Sequence, residues 1–146
     1  MAHYTFRGGV DLRENKERTK DLPIQEVLPG KQLIFPMEHR EKALVIPGEY
    51  VMAGQLLAKN DESMSRIHSS VSGIVKAIEA RANGKGELYQ CVIVDNDEKY
   101  TEMDFGDFVE ADDLENRQIL ARIMSAGIVD VPGDGEPILK KLDVKE

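Results

Sequence analysis

The chain has no tryptophan, a single cysteine and no long apolar run, and each absence excludes something. With aromatics at only 5%, any core has to be built from Val, Ile, Leu and Met. One thiol, Cys91, rules out an intramolecular disulfide and any four-cysteine metal or iron–sulfur site within this chain. No stretch approaches the roughly 18 consecutive apolar residues that span a bilayer. The opening MAHYTFRGGV lacks the apolar centre of a secretory signal. A cytoplasmic protein without direct membrane insertion is therefore expected. There is no G-x-S-x-G elbow, so no serine reads as an activated nucleophile, and no catalytic residue is assigned. His3, His39 and His68 lie far apart without a supporting carboxylate pattern, so no metal site is expected. His39 and His68 sit beside turns, where a ring N–H holding a backbone carbonyl is the expected role.

What is present suits one small domain with appendages: 146 residues, 41% of them hydrophobic. The net charge of −8 is concentrated. Ten acids lie between Asp95 and Gln118, opposed only by Lys99 and Arg117, which accounts for the whole of it. Such a belt repels nucleic-acid phosphates, so no nucleic-acid partner is expected. It is either a solvated linker or a docking surface for a basic partner. Arg7, Arg13 and Arg18 are candidates to pair with it.

Along the chain, residues 1–31 read as a polar, extended N-terminal arm. Residues 32–105 read as β. Short aliphatic runs are broken by Pro36, Pro47-Gly48 and Ala53-Gly54, and Asn83-Gly84 signals a hairpin into the return strand LYQCVIV. In GIVKAIEA, simple alternation puts Ile74, Lys76, Ile78 and Ala80 on one face and Val75, Ala77 and Glu79 on the other. Cys91 falls inside an apolar strand and is expected to be an inert thiol. In residues 106–146, DDLENRQILARIMSAG predicts one helix. Asp112 is its expected N-cap, with Glu115 completing a capping box, and Gly127 its expected C-terminal stop. The tail beyond reads as loop and frayed end.

The stretch IPGEYVMAGQLLAKNDESMSRIHSSVSGIVKAIE resembles the lipoyl and biotinyl carrier domains, which are barrel-sandwich hybrids. The matching positions are Gly48-Glu49, Val51, Gly54-Gln55, Leu56-Leu57 and the turn Ser69 to Gly73. The resemblance places the modified lysine eleven residues before Gly73, where this chain has Glu62. A carboxylate cannot form the amide to lipoate or biotin, and Lys59 is the nearest lysine. A carrier loaded on Lys59 is one alternative.

Three further stretches, FRGGVDLRENKERT, PIQEVLPGKQLIFPMEHREKALVIPGEYVMAGQLLA and IHSSVSGIVKAIEA, carry a longer resemblance. Together they resemble the N-terminal region of the RnfC-like family of electron-transport-complex proteins. Phe6, Gly8, Gly9, Pro23, Pro36, His39, Gly48, Val51, Gly54, Gln55, His68, Ser72, Gly73, Val75 and Ile78 carry it. It implies a mainly β barrel-sandwich hybrid with an extended arm and a C-terminal α-helix. It also implies a setting among the protein subunits of a redox complex, peripheral to the inner membrane through those partners. The family's functional context is NADH/ferredoxin oxidoreductase chemistry using FMN, NADH and [4Fe-4S] clusters.

The tail AGIVDVPGDGEPILKKL aligns with the family's glycine-rich loop for FMN and NADH, which makes Gly133, Gly135 and Lys141 the candidate cofactor-binding residues. Asp130 and Pro132 stand where that loop has glycines, and Asp134, Glu136 and Ile138 replace Ala, Phe and Thr. A phosphate cradle works through converging backbone N–H groups. Proline removes one of these and the acids repel the anion. The resemblance would continue, past the end of this sequence, into the family's nucleotide and cluster regions. The eroded loop leads us to expect a natural short form and no cofactor in this chain. The expectation is a docking or assembly module with no activity of its own. A residual FMN/NADH-binding subunit is the remaining alternative.

Overall fold

Aliphatic, β-branched runs of two to ten residues, cut by glycine and proline turns, become seven strands in the computed structural model: β1 (Gln32–Pro36), β2 (Lys42–Ala43), β3 (Tyr50–Val51), β4 (Leu56–Asn60), β5 (Ser65–His68), β6 (Gly73–Ala82) and β7 (Leu88–Asn96). Two helices follow, α1 (Asn116–Ala126) and α2 (Leu139–Leu142). The structure describes residues 15–38, 40–106, 109–131 and 135–142. Among the positions singled out in the sequence, His3, Phe6, Arg7, Gly8, Gly9, Arg13, His39, Pro132, Gly133 and Asp134 lie outside the described residues.

The strands form two sheets, ordered β1-β7-β6-β3 and β2-β4-β5. Every pairing between named strands is antiparallel. They close on one aliphatic core: Leu57 and Ala58 from β4 meet Val75 from β6 and Val92 and Val94 from β7, with Val45, Val51, Val71 and Met37 completing it. Each fully buried Val or Leu contributes about 1.5–3 kcal/mol, so a core without tryptophan still holds a domain of this size. The chain is mainly β, a barrel-sandwich hybrid with a helix near its C-terminal end.

The Gly54-Gln55 turn lies against the turn that begins at Ser69. The Gly54 N–H donates to the Ser69 carbonyl (2.7 Å), and the Ser69 N–H to that of Gln55 (2.9 Å). Gly48 and Glu49 bond Val75 from the other side. Residues 15–31 contain no strand or helix and are exposed throughout, Ile24 completely so. Asn96 ties the end of this arm down, bonding the Lys31 and Gly30 carbonyls.

Three expectations need correction. In β6 a bulge at Lys76 breaks the alternation, so Val75 and Ile78 both turn toward the core instead of opposite ways. A bulge adds one residue to one strand and inverts the faces beyond it. The N-cap of α1 is Glu115, not Asp112; Asp112 belongs to a short 3-10 turn before it. The Gln118 side chain accepts from the Glu115 N–H (2.8 Å), so the capping box runs from Glu115 to Gln118. The tail is ordered where it is described. Val129 and Pro137 form a bridge, and α2 follows. Gly127 does end α1, in the left-handed conformation (φ 64°). A Cβ there would stand 2.9 Å from the Arg66 Cβ, so glycine also lets the helix end lie close on β5.

Candidate functional site

The β4–β5 hairpin is the position at which carrier domains present a lysine. Its tip, Asp61 to Met64, holds carboxylates: Asp61 and Glu62 are exposed, and the Glu62 N–H is bonded by the Asn60 side chain (2.9 Å). Lys59 lies below the tip, inside β4. It is the middle of a rung of three cations, opposite Lys42 on one side and Arg66 on the other. Like charges directly opposite one another destabilise a sheet, and Asp61 answers this by holding both Lys59 (2.9 Å) and Arg66 (2.6 Å). The hydrogen bond from Lys59, with the charge of Arg66 beside it, keeps the Asp61 carboxyl below the usual carboxylate range.

The turn from Ser69 to Gly73 is fastened to the acidic segment. Ser72 is fully buried; its hydroxyl donates to Asp97 (2.7 Å) and accepts from the Thr101 N–H (2.9 Å). Tyr50 donates to the other oxygen of Asp97 (3.0 Å). These bonds, led by that from Ser72, hold the Asp97 carboxyl below its ordinary value. Downstream, Ala53 exchanges backbone hydrogen bonds with Thr101 and Met103. The acidic connection is irregular, but it is pinned where Met103 and Phe105 flank Gly54. A Cβ on Gly54 would overlap the Phe105 ring, and the φ of +85° also suits glycine.

His68, at the end of β5, donates to the Ser125 carbonyl at the end of α1, the role expected for it. Burial lowers its pKa from 6.5, which keeps the ring neutral near pH 7. Cys91 is buried, and burial raises its pKa, consistent with an inert thiol.

The C-terminal loop closes on itself. The Asp130 N–H donates to the Glu136 carbonyl (2.9 Å), the Gly135 N–H to that of Asp130 (3.2 Å), and the Ile138 N–H to that of Ile128 (3.0 Å). The Lys141 ammonium is bonded to the Asp130 carboxylate and that of Lys140 to Glu136. A flavin or nucleotide phosphate needs free N–H groups and unpaired cations. The described part of this loop offers neither at Gly135 and Lys141, whose N–H and ammonium are already bonded to Asp130. Gly135 and Lys141, bonded in this way, do not fit the group, and Gly133 lies outside the described residues. Among the described residues there is also no cluster of His, Cys, Asp or Glu arranged to hold a metal ion, and no helix is long and apolar enough to cross a membrane.

A family model described as the RnfC barrel sandwich hybrid domain matches residues 4–99. The chain belongs to this RnfC family. It is 28% identical over 150 residues to the C subunit of the Na(+)-translocating ferredoxin:NAD(+) oxidoreductase complex of Acetobacterium woodii, a match covering 99% of this chain and 34% of that protein. It is 31% identical over 146 residues to the C subunit of the ion-translocating oxidoreductase complex of Vibrio cholerae, covering 95% of this chain and 19% of that protein. For the protein of the same description from Pseudomonas aeruginosa the identity is 33% over 151 residues, covering 97% and 19%. The chain thus spans about a third or less of the length of these relatives.

Within this RnfC-type chain the sequence-selected residues do not converge. Lys59 is on β4, while Gly135 and Lys141 are in the tail. What sequence reasoning missed is a groove along α1, lined among others by Leu56, Met64, Met103, Phe105 and Met124. Its signal in the sequence is the helical spacing of Leu114, Ile119, Leu120, Ile123 and Met124, an apolar stripe that includes one of the lining residues.

Proposed function

We propose that this chain is a docking and assembly module of an Rnf-type ion-translocating oxidoreductase complex, with no redox centre of its own. The observation that carries the reading is the self-closed loop in the tail. Where the family resemblance places a cofactor cradle, Asp130 and Glu136 engage Lys141 and Lys140, and the Gly135 N–H is already bonded. Those carboxylates occupy the role of an anionic ligand. A bound phosphate would have to displace them against charge repulsion.

The remaining parts of the reading follow from the layout. Residues 32–105 act as the rigid barrel, 1–31 as an arm and 106–146 as a C-terminal appendage, with partner subunits meeting the surface of the whole. The chain then sits on the cytoplasmic side, peripheral to the inner membrane through those partners. The names of the relatives support the setting, since each is a subunit of an ion-translocating or Na(+)-translocating oxidoreductase complex.

Thermal unfolding with saturating FMN, and separately with NADH, tests the cofactor part. Ligand bound to the native state at a hundred times its Kd adds about 2.7 kcal/mol, a shift of about 5–10 °C for a chain of this length. The expected result is no shift with either. A shift of that size, or flavin absorbance in the purified protein, refutes the reading. Gentle lysis of the native host tests the docking part: co-purification with oxidoreductase subunits is expected, and their absence counts against it.

A further inference from the structure

The edges of the two sheets are not equally closed. β2 is only two residues long. The end of α1 lies against β5 at Arg66 and His68. β1 ends on Pro36, which has no N–H to offer. β6 is different. β3 covers only Gly73 and Ile74, and Gly48 and Glu49 bond Val75. Beyond the bulge β6 runs on to Ala82 with β7 along one side, and among the described residues no strand lies along the other.

Alternation along an antiparallel ladder fixes what that open side presents. The Met37 N–H bonds the Gln90 carbonyl and the Asn96 N–H the Lys31 carbonyl, so the even-numbered residues of β7 face β1 and the odd-numbered ones face β6. The bond from the Asn83 N–H to the Glu87 carbonyl agrees. Glu79 with Cys91 and Arg81 with Tyr89 are therefore the bonded pairs. Ile78, Ala80 and Ala82 turn their N–H and C=O groups outward. The open window, residues 78–82, is centred on Ala80, and Glu79 to Ala82 are exposed.

The side chains across this window are complementary to themselves. An antiparallel second copy, related by a two-fold axis at Ala80, sets Ala80 opposite Ala80, Ile78 opposite Ala82, and Glu79 opposite Arg81 twice over. The outward groups then meet in hydrogen-bonded pairs. The two charged pairs fall at the non-bonded positions, where side chains approach most closely. Sliding the copies by two residues either way is the next register that keeps the hydrogen bonds. It puts Glu79 against Glu79 or Arg81 against Arg81, and like charges directly opposite one another destabilise a sheet. Within one chain Arg81 is already bonded to Glu79, each about half exposed. The second copy gives each of them a second partner, closing a ring of four alternating charges.

We propose that β6 pairs with β6 of a second copy in this register, joining the two sheets into one across a two-fold axis. The open strand edge supplies the attraction, and Glu79 and Arg81 select the register. The proposal stands apart from the docking reading above. The interface is small, so the dimer is weak.

Sedimentation equilibrium of the full chain tests this, from about 10 µM to about 1 mM, the range suited to a weak dimer. A reversible monomer–dimer equilibrium is expected. Glu79→Arg and Arg81→Glu are each expected to weaken it at least about tenfold with unchanged circular dichroism, because both cross-strand pairs become like-charged. An equimolar mixture of these two variants is expected to regain a dimer of wild-type strength, since opposite charges again face each other. Loss of the pair within one chain cannot produce that recovery. Ala80→Pro removes an N–H that bonds nothing within the chain and is expected to abolish the dimer while the fold persists. A wild-type chain that stays monomeric throughout the range overturns the proposal. So does a dimer indifferent to these substitutions, or a mixture of the two charge variants that stays monomeric.

Discussion

Replacing Gly73 with alanine perturbs the place where the Ser69–Gly73 turn enters β6. An added Cβ would overlap the Asp95 carbonyl oxygen and stand 2.9 Å from its carbon and 3.3 Å from the Asn96 Cα. These are backbone atoms of the paired strand β7, so no side chain can swing aside to relieve the clash. Relief requires the strands to part by about an ångström, enough to break ordinary hydrogen-bond geometry. The bonds at stake are from Asp97 N–H to the Ser72 carbonyl (3.0 Å) and from the Ser72 hydroxyl to Asp97 (2.7 Å). At about 1 kcal/mol each, their loss comes to about 2 kcal/mol, to which the left-handed φ of Gly73 adds about 1 kcal/mol. A chain of this length loses about 2–4 °C of Tm per kcal/mol, so thermal unfolding followed by circular dichroism should show a drop of about 6–12 °C. Gly48→Ala is the control. It shares a positive φ, +90°, but has nothing within 4 Å of the added Cβ, so only the conformational cost remains, about 1 kcal/mol and about 2–4 °C. Equal drops for the two variants would refute the reasoning, because the close approach of β6 and β7 would then contribute nothing.

Ser72→Ala removes a buried hydroxyl that serves Asp97 and Thr101 at once. It is expected to cost about 2 kcal/mol in urea unfolding, and adding Asp97→Asn should cost less than the two single changes together. Gly54→Ala must push the Phe105 ring aside and accept a φ of +85°; the expected loss is about 1 kcal/mol, with Tm as the check. His68 titrates below its ordinary value of 6.5 because it is partly buried. The unfolded chain therefore takes up that proton first on acidification. Stability is intact above pH 6.5 and falls as pH drops through the lowered pKa. His68→Gln should flatten that part of the Tm-versus-pH curve, and an unchanged slope would contradict the assignment. The lowered carboxyls of Asp61 and Asp97 act in the same direction at lower pH, below their ordinary 3.8.

The strands were legible because Pro36, Pro47-Gly48, Ala53-Gly54 and Asn83-Gly84 cut the aliphatic runs, and each cut falls at or beside a strand end in the fold. The bulge at Lys76 was not, since GIVKAIEA fits strict alternation and only pairing with β7 inserts the extra residue. The cap of α1 was misplaced by three residues because Asp112, Asp113 and Glu115 are all chemically suited to it. A 3-10 turn at Ala111–Asp113 decides between them. The order in the tail comes from pairs such as Lys141 with Asp130, eleven residues apart, which no local propensity registers. The groove draws on β4, the hairpin tip, the acidic connection and α1, and Met103 and Phe105 were hidden among acids that read as either a solvated linker or a docking surface. Lys59 is the lysine nearest to Glu62 in the sequence. What the sequence could not show is the Lys42–Lys59–Arg66 rung that commits Asp61 to it.

The most direct measurement is native mass spectrometry of this protein isolated under gentle lysis from its own host. The account predicts polypeptide mass alone for this chain, with no flavin, lipoyl or biotinyl addition, in assemblies containing oxidoreductase subunits. A tightly held flavin, a covalently loaded Lys59, or a chain found only by itself would contradict it.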